Sequence, residues 1–267
     1  MRVPLTPPRI AAGVDSGQVL ERENQSVMGE PSSYDAIARL YDPWSVSVRE
    51  DVEFYVEEAR AAGGESVVEL GVGTGRIAVP IAAAGIRVIG VDSSEGMLAV
   101  CREAADRAGV SDLLDLRRGD LRNPPVDERV QLAICPFRAM LHMPDDASRL
   151  EALGAAHELL VPGGRLVFDV FAPGLRDIEE THGRWLEREP EIFERAHWDE
   201  QERTLTLSVR GPTGETTLML AWISPGEWHT LLERAGFAVE ACYGWFDRRP
   251  FTGGEDTVWV ARRPVDQ

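Results

Sequence analysis

Residues 67–92 read VVELGVGTGRIAVPIAAAGIRVIGVD, and their order decides the fold. An apolar run, Val67–Leu70, breaks at three alternate glycines, Gly71, Gly73 and Gly75. Arg76–Ala84 then carries apolar residues at helical spacing, and a second apolar run, Arg87–Val91, ends in the carboxylate of Asp92. Strand, glycine turn, helix and strand make one βαβ unit. Its turn lets the backbone approach a ligand closely, and a helix N-terminus faces the crevice at the carboxyl end of the sheet.

Three kinds of ligand use such a turn. A dinucleotide fingerprint places its third glycine where Arg76 stands, and a triphosphate loop needs a Lys-Ser or Lys-Thr pair that is missing here. A nucleoside without phosphate fits better. Glu69 at the end of the first strand suits a ligand with an amino group and repels a pyrophosphate. Asp92, 21 residues after Gly71, can accept both ribose hydroxyls. One strand later Asp120 can accept from an exocyclic amine.

Working outward, SYDAIARLYDPW (Ser33–Trp44) and a stretch over Val48–Ala62 predict two helices before the first strand. After Asp92 come a helix over Glu95–Ala108, a strand near Leu113–Arg118 and an apolar strand over Val130–Phe137. An amphipathic helix over Asp146–Leu160, a Pro-Gly-Gly turn and a strand over Arg165–Phe171 follow. This alternation predicts a parallel sheet with helices on both faces. The period then changes to two around Gly-Pro-Thr-Gly-Glu (Gly211–Glu215), as in antiparallel strands. Ser224, Pro225 and Glu227 spell a capped helix start, and strands over Ala238–Phe246 and Asp256–Pro264 close the chain.

The expected organisation is an extension over residues 1–30 and a domain over 31–267. Within the domain, 63–172 form a ligand-binding core and 183–223 an antiparallel insertion over an edge or the crevice. Met28 is an alternative start. Formal net charge is −17, from 28 basic and 45 acidic side chains, which disfavours a nucleic-acid substrate. Cys101, Cys135 and Cys242 stand apart with no CxxC pair, arguing against structural zinc and disulfides and fitting the cytoplasm. No apolar run reaches the roughly 20 residues of a membrane span, and no signal-type apolar block opens the chain.

Glu69 to Gly75, Asp92 and Gly119-Asp120-Leu121 resemble the first three motifs of class I S-adenosylmethionine-dependent methyltransferases. Leu160–Phe171 is similar to that family's entry to its fifth strand. The resemblance covers roughly residues 33–171. It implies an α/β fold with a seven-stranded, mostly parallel sheet whose last strand is reversed, here with the antiparallel insertion after the fifth strand. It also implies S-adenosylmethionine as cofactor. By the same resemblance Gly71, Gly73, Thr74 and Gly75 wrap the methionine part with Glu69, Asp92 takes the ribose, and Asp120 with Leu121 holds the adenine. Tyr34, Ser93, Met97 and Pro136 complete the expected contacts.

The methyl acceptor is expected to be a small molecule, methylated on N or O, because the opening helix resembles that of amino-sugar methyltransferases. There it forms part of a lid. Tyr34 and Tyr41, seven apart, fall on one helical face. After the fourth strand, Cys135-Pro136-Phe137 departs from the pattern of base-methylating relatives. Arg138 can pair with an anionic group, and His142, four residues on, shares its face if the turn is helical and can take a proton near neutrality. Tyr41, Arg138 and His142 are therefore the catalytic candidates; the plainer alternative makes all three structural. No carboxylate cluster suits a divalent metal, so the reaction is expected to need none. The insertion, with Trp185, Phe193 and Trp198, reads either as an acceptor roof or as a sheet with a solvated or homodimeric outer face. Two rivals stay open: a nicotinamide-dependent oxidoreductase and a non-catalytic S-adenosylmethionine sensor.

Overall fold

The computed structural model describes residues 33–44, 49–212 and 214–265. The expected extension over residues 1–30, with Met28, lies outside them. Five parallel strands form the core: β1 (Ser66–Leu70), β2 (Arg87–Asp92), β3 (Leu114–Arg118), β4 (Val130–Cys135) and β5 (Leu160–Phe171). Two strands from the end of the chain, β10 (Ala238–Tyr243) and β11 (Asp256–Arg262), complete a seven-stranded sheet in the order β10-β11-β5-β4-β1-β2-β3. β11 runs antiparallel to both its neighbours and is the reversed strand.

Neighbouring residues of each strand point to opposite faces, and both faces are covered. Val67, Ile134, Val167 and Val258 pack with Phe54, Tyr55 and Ile81 of α2 (Glu50–Ala62) and α3 (Ala78–Ala83). Val68, Cys135, Phe168 and Trp259 pack with Leu153, Trp228 and Leu231 of α5 (Asp146–Glu158) and α7 (Pro225–Arg234). Burying each large apolar side chain contributes about 1.5–3 kcal/mol, so this two-sided core sets the strand register. Caps fix the helix starts. Ser94 accepts from the Met97 N–H to open α4 (Glu95–Ala108), and Ser224 with Glu227 forms the predicted capping box of α7.

Three local expectations shift. The Pro-Gly-Gly turn is absorbed into the start of β5, where the register against β4 slips. The first helix is a 3-10 turn, Asp35–Ile37, that passes into α1 (Ala38–Trp44). A further helix, α6 (Leu175–Thr181), precedes the antiparallel strands; its short, mostly polar run carries too few apolar residues to show a period.

The antiparallel segment is a separate four-stranded sheet: β6 (Trp185–Glu189), β7 (Ile192–Asp199), β8 (Thr204–Gly211) and β9 (Gly214–Ala221). Its buried face, including Ile192, Ala196, Leu207 and Leu218, joins the core on the α5–α7 side. Its β9 end meets the N-terminal segment, where the Thr216 hydroxyl donates to the Ser33 carbonyl at 2.7 Å. The insertion thus lies over the segment that covers the glycine turn.

Candidate cofactor and acceptor site

The glycine turn folds as its spacing requires. Gly71, Gly73 and Gly75 take φ of 76°, 54° and 86°, in the left-handed region that side chains disfavour. A Cβ on Gly71 would stand 2.9 Å from the Cβ of Ala139, so glycine there lets the turn after β4 approach. Asp92 knits the turn to β2: its Oδ2 accepts from the Gly73 N–H and its Oδ1 from the Ser94 N–H, both at 2.8 Å. Burial raises the Asp92 carboxyl above its ordinary range, and those backbone donors oppose the rise.

Glu69 is 2% exposed, and its Oε2 is buried with no hydrogen-bond partner among the described residues. Burial pushes its carboxyl well upward, against the pull of Arg76. A buried acid oxygen without a donor costs about 1–3 kcal/mol, so this one marks a place built for something else.

The segment from Tyr34 to Trp44 roofs the turn through polar contacts. Asp35 accepts from the Ser94 hydroxyl and from the Gly96 N–H at 2.8 Å, holding the start of α4. Asp42 accepts from the Thr74 hydroxyl. Trp44 Nε1 donates to Glu194 of β7 at 2.8 Å, joining roof to insertion. Tyr34 and Tyr41 meet edge to face at 5.9 Å, and Met97 is buried in a small cluster beside both.

After β4 the chain leaves extended geometry because Phe137 and Arg138 both take positive φ, 53° and 67°. The Phe137 N–H donates to Asp169 Oδ1 at 2.8 Å, and the same oxygen accepts from the Tyr55 hydroxyl at 2.7 Å. The Arg76 guanidinium stacks on the Phe137 ring at 4.4 Å and is gripped at both ends by buried Asp51.

Arg138 and His142 do not come together on one helical face. Arg138 sits before a 3-10 turn (Ala139–His142), pairs with Asp256 at 3.1 Å and lies over the Phe171 ring at 4.5 Å. His142 turns the other way, with its Nε2 2.8 Å from the Tyr34 hydroxyl and a further bond to the Met219 backbone. Nor does His142 titrate near neutrality: burial pushes it down to about 4, so the ring is neutral at pH 7. A 3-10 turn advances 120° per residue, so positions four apart diverge.

The remaining candidates are scattered more widely. Asp120 lies just past β3 and is half exposed, with both oxygens accepting from Arg122. Leu121 packs on the core, Pro136 is buried and Ser93 is exposed. Of the insertion's aromatics, Trp198 faces the site side, against Phe171 at 6.2 Å. Trp185 and Phe193 lie on the opposite face under Arg210, because side chains alternate along a strand. Asp35, Asp42, Asp51 and Asp169 were not among the expected site residues. Only Asp169 left a signal, as an acid inside the apolar run Leu166–Phe171.

A family model described as a methyltransferase domain matches residues 67–164. The release factor glutamine methyltransferase of Gloeobacter violaceus is 32% identical over 145 residues, 45% of this chain and 51% of that protein. The chain spans about half the length of the first curated relatives it matches. Among solved structures, the CcbJ methyltransferase from Streptomyces caelestis aligns with a TM-score of 0.77 and 26% identity, over 88% of this chain and 99% of that one. CalS10 from Micromonospora echinaspora, an amino pentose methyltransferase solved with S-adenosylmethionine bound, aligns with a TM-score of 0.59 and 20% identity over 91% and 100%. At that identity the likeness is one of fold.

Proposed function

We propose that this chain, a member of the class I S-adenosylmethionine-dependent methyltransferases by its domain and fold, methylates a nitrogen or oxygen atom of a small metabolite. The cofactor of that family fits the residues present. The observation that carries the reading is the buried, unpartnered Glu69 Oε2 beside three left-handed glycines, a seat for an ammonium next to open backbone. A Cβ at Gly73 would meet only the Gly71 carbonyl oxygen, at 4.0 Å, so the turn has room on that side.

Glu69 and the turn would hold the amino-acid end of the cofactor. Asp92 accepts from the Gly73 N–H on one oxygen and the Ser94 N–H on the other, with Ser93 a further backbone donor, and keeps lone pairs for the ribose hydroxyls. Asp120 has less to spare, since Arg122 donates to it three times, and an adenine amine would take the site that remains. When bound, the cofactor would supply an electrophilic methyl carbon on a sulfonium, a good leaving group for in-line transfer to a lone pair of the acceptor.

The chain's own part is to orient and to exclude water. Tyr34, Tyr41 and Trp44 line the roof, and their contacts with His142, Phe137 and Glu194 close it from three sides. Positioning of this kind can supply about 7–11 kcal/mol of a barrier without acid–base help. His142, neutral and bonded to Tyr34, acts best as a support for that roof. The opening segment, similar to that of amino-sugar methyltransferases, supports an amine- or hydroxyl-bearing metabolite as acceptor.

The test is calorimetric titration with S-adenosylmethionine and its demethylated product, with nicotinamide cofactors as controls. Mass-spectrometric assay of methyl transfer to a panel of amino sugars and hydroxylated metabolites follows. Micromolar binding of the first pair alone is expected; binding of a nicotinamide cofactor, or of none, overturns the assignment.

A further inference from the structure

We infer that the small pocket behind the Phe137 turn, lined by Phe137, Arg138, Asp169, Trp245, Phe246 and Asp256, is a subsite for an alkylammonium group of the methyl acceptor. This deepens the methyl-transfer reading and rests on it for the identity of the molecule, though not for the chemistry of the pocket.

Charge pairing carries the inference. Three carboxylates and two guanidiniums gather around the turn. Asp51 and Arg76 neutralise each other through two hydrogen bonds of 2.8 and 2.6 Å. Asp256 and Arg138 pair at 3.1 Å. Asp169 is left over. It is only 7% exposed, and among the described residues no cation lies within ion-pair distance of it. Its Oδ1 accepts from the Tyr55 hydroxyl and the Phe137 N–H, while Oδ2 takes neither bond and is left to the pocket that Asp169 lines.

Burial and neighbouring Asp51 raise the Asp169 carboxyl to about 6, against the Tyr55 and Phe137 donors and the more distant Arg138. Asp169 is thus mainly ionised at neutral pH, a net negative charge in a nearly closed space. Such a charge is costly alone and favourable with a cation in contact.

The walls select the kind of cation. Phe137, Trp245 and Phe246 present aromatic rings, the last two 5.1 Å apart. Ring faces attract an ammonium and its methyl groups. A hard metal ion wants six or more oxygens, which aromatic walls do not offer. An anion meets the wrong charge. Phe137 has Tyr41 6.1 Å away and Arg76 stacked on it, so the pocket adjoins the roofed crevice.

The groups facing Asp169 are Tyr55 and Asp51 from α2, Tyr41 of α1, whose hydroxyl burial also pushes up, Arg76 from the glycine turn, Cys135 of β4, Arg138 after it and Asp256 of β11. Burial pushes Tyr55 and Cys135 well upward, so neither gains charge between pH 5 and 7.5.

The experiment is ligand-observed saturation-transfer NMR on the full chain. Dimethylammonium chloride is the probe and 2-propanol the neutral control of similar size. Saturable binding of dimethylammonium at pH 7.5 is expected, weakened at least tenfold at pH 5 and in Asp169→Asn, with none for 2-propanol. Asparagine keeps an oxygen for Tyr55 and Phe137, so the turn stays in place and S-adenosylmethionine affinity should hold within about twofold. Should Asp169→Asn fail to fold, Trp245→Leu decides: dimethylammonium binding should disappear while cofactor affinity remains. No dimethylammonium binding to the native chain, equal binding to Asp169→Asn, or equal binding of 2-propanol overturns the subsite. None of these outcomes touches cofactor binding, which the titration above tests separately.

Discussion

Replacing His142 by glutamine should change how stability depends on acidity, and the size follows from the burial of the ring. In the folded chain His142 is pushed down to about 4, whereas an ordinary histidine titrates near 6.5. Below about pH 6.5 the unfolded chain takes a proton that the folded chain refuses until about pH 4. The preference for the neutral ring therefore contributes fully above 6.5 and is lost as pH falls toward 4. A gap of about 2.5, at 1.36 kcal/mol for each, is about 3 kcal/mol.

Asp169 works in the opposite sense. Its carboxyl is raised to about 6, so the folded chain binds a proton first and gains about 3 kcal/mol between roughly pH 6 and 4. In the native chain the two effects nearly cancel. His142→Gln should uncover the gain, making the stability change from pH 7.5 to 4 more favourable by about 3 kcal/mol than in the native chain. Urea unfolding of both proteins at both pH values measures it, and all other titrating groups drop out of the difference. A difference below about 1 kcal/mol would refute the claim that the ring is buried and neutral.

Asp92→Ala should weaken S-adenosylmethionine binding by about 1–3 kcal/mol, roughly 5- to 150-fold, read by calorimetric titration; unchanged affinity would remove Asp92 from the ribose site. Tyr34→Phe leaves His142 Nε2 without its partner and should lower stability by about 1–3 kcal/mol in urea, and an unshifted midpoint would show that the bond contributes nothing. Thr74→Val frees Asp42 from the glycine turn, so amide exchange across Ala38–Trp44 should quicken while that of β1 does not; uniform exchange would deny Asp42 its clamping role.

What could be read in the sequence was whatever local chemistry determines. Three glycines, a strand-ending Asp92 and the Ser224–Glu227 box each act over a few residues, so motif and period were enough to find them. The reversed β11 came from the family resemblance, because strand direction depends on a distant partner, β5. Apart from the acid at Asp169 inside an apolar run, contacts made across the fold left no local trace. Asp42 reaches Thr74, Asp51 grips Arg76, and Asp169 holds Phe137, yet none of these pairs has a characteristic spacing. The left-handed Phe137 and Arg138 were hidden as well, since non-glycine residues rarely take positive φ. That one turn accounts for Arg138 and His142 not sharing a face.

The roof has a consequence for the order in which the protein completes itself on the ribosome. Trp44 is bonded to Glu194, 150 positions later, and Ser33 to Thr216, 183 positions later. At about 5–20 residues per second, roughly 10 to 40 s pass between synthesis of Ser33 and that of its partner. The segment from Tyr34 to Trp44 is therefore among the last of the described elements to finish docking. Until then the glycine turn stands open, and a nascent chain can meet its cofactor before it can shut water out.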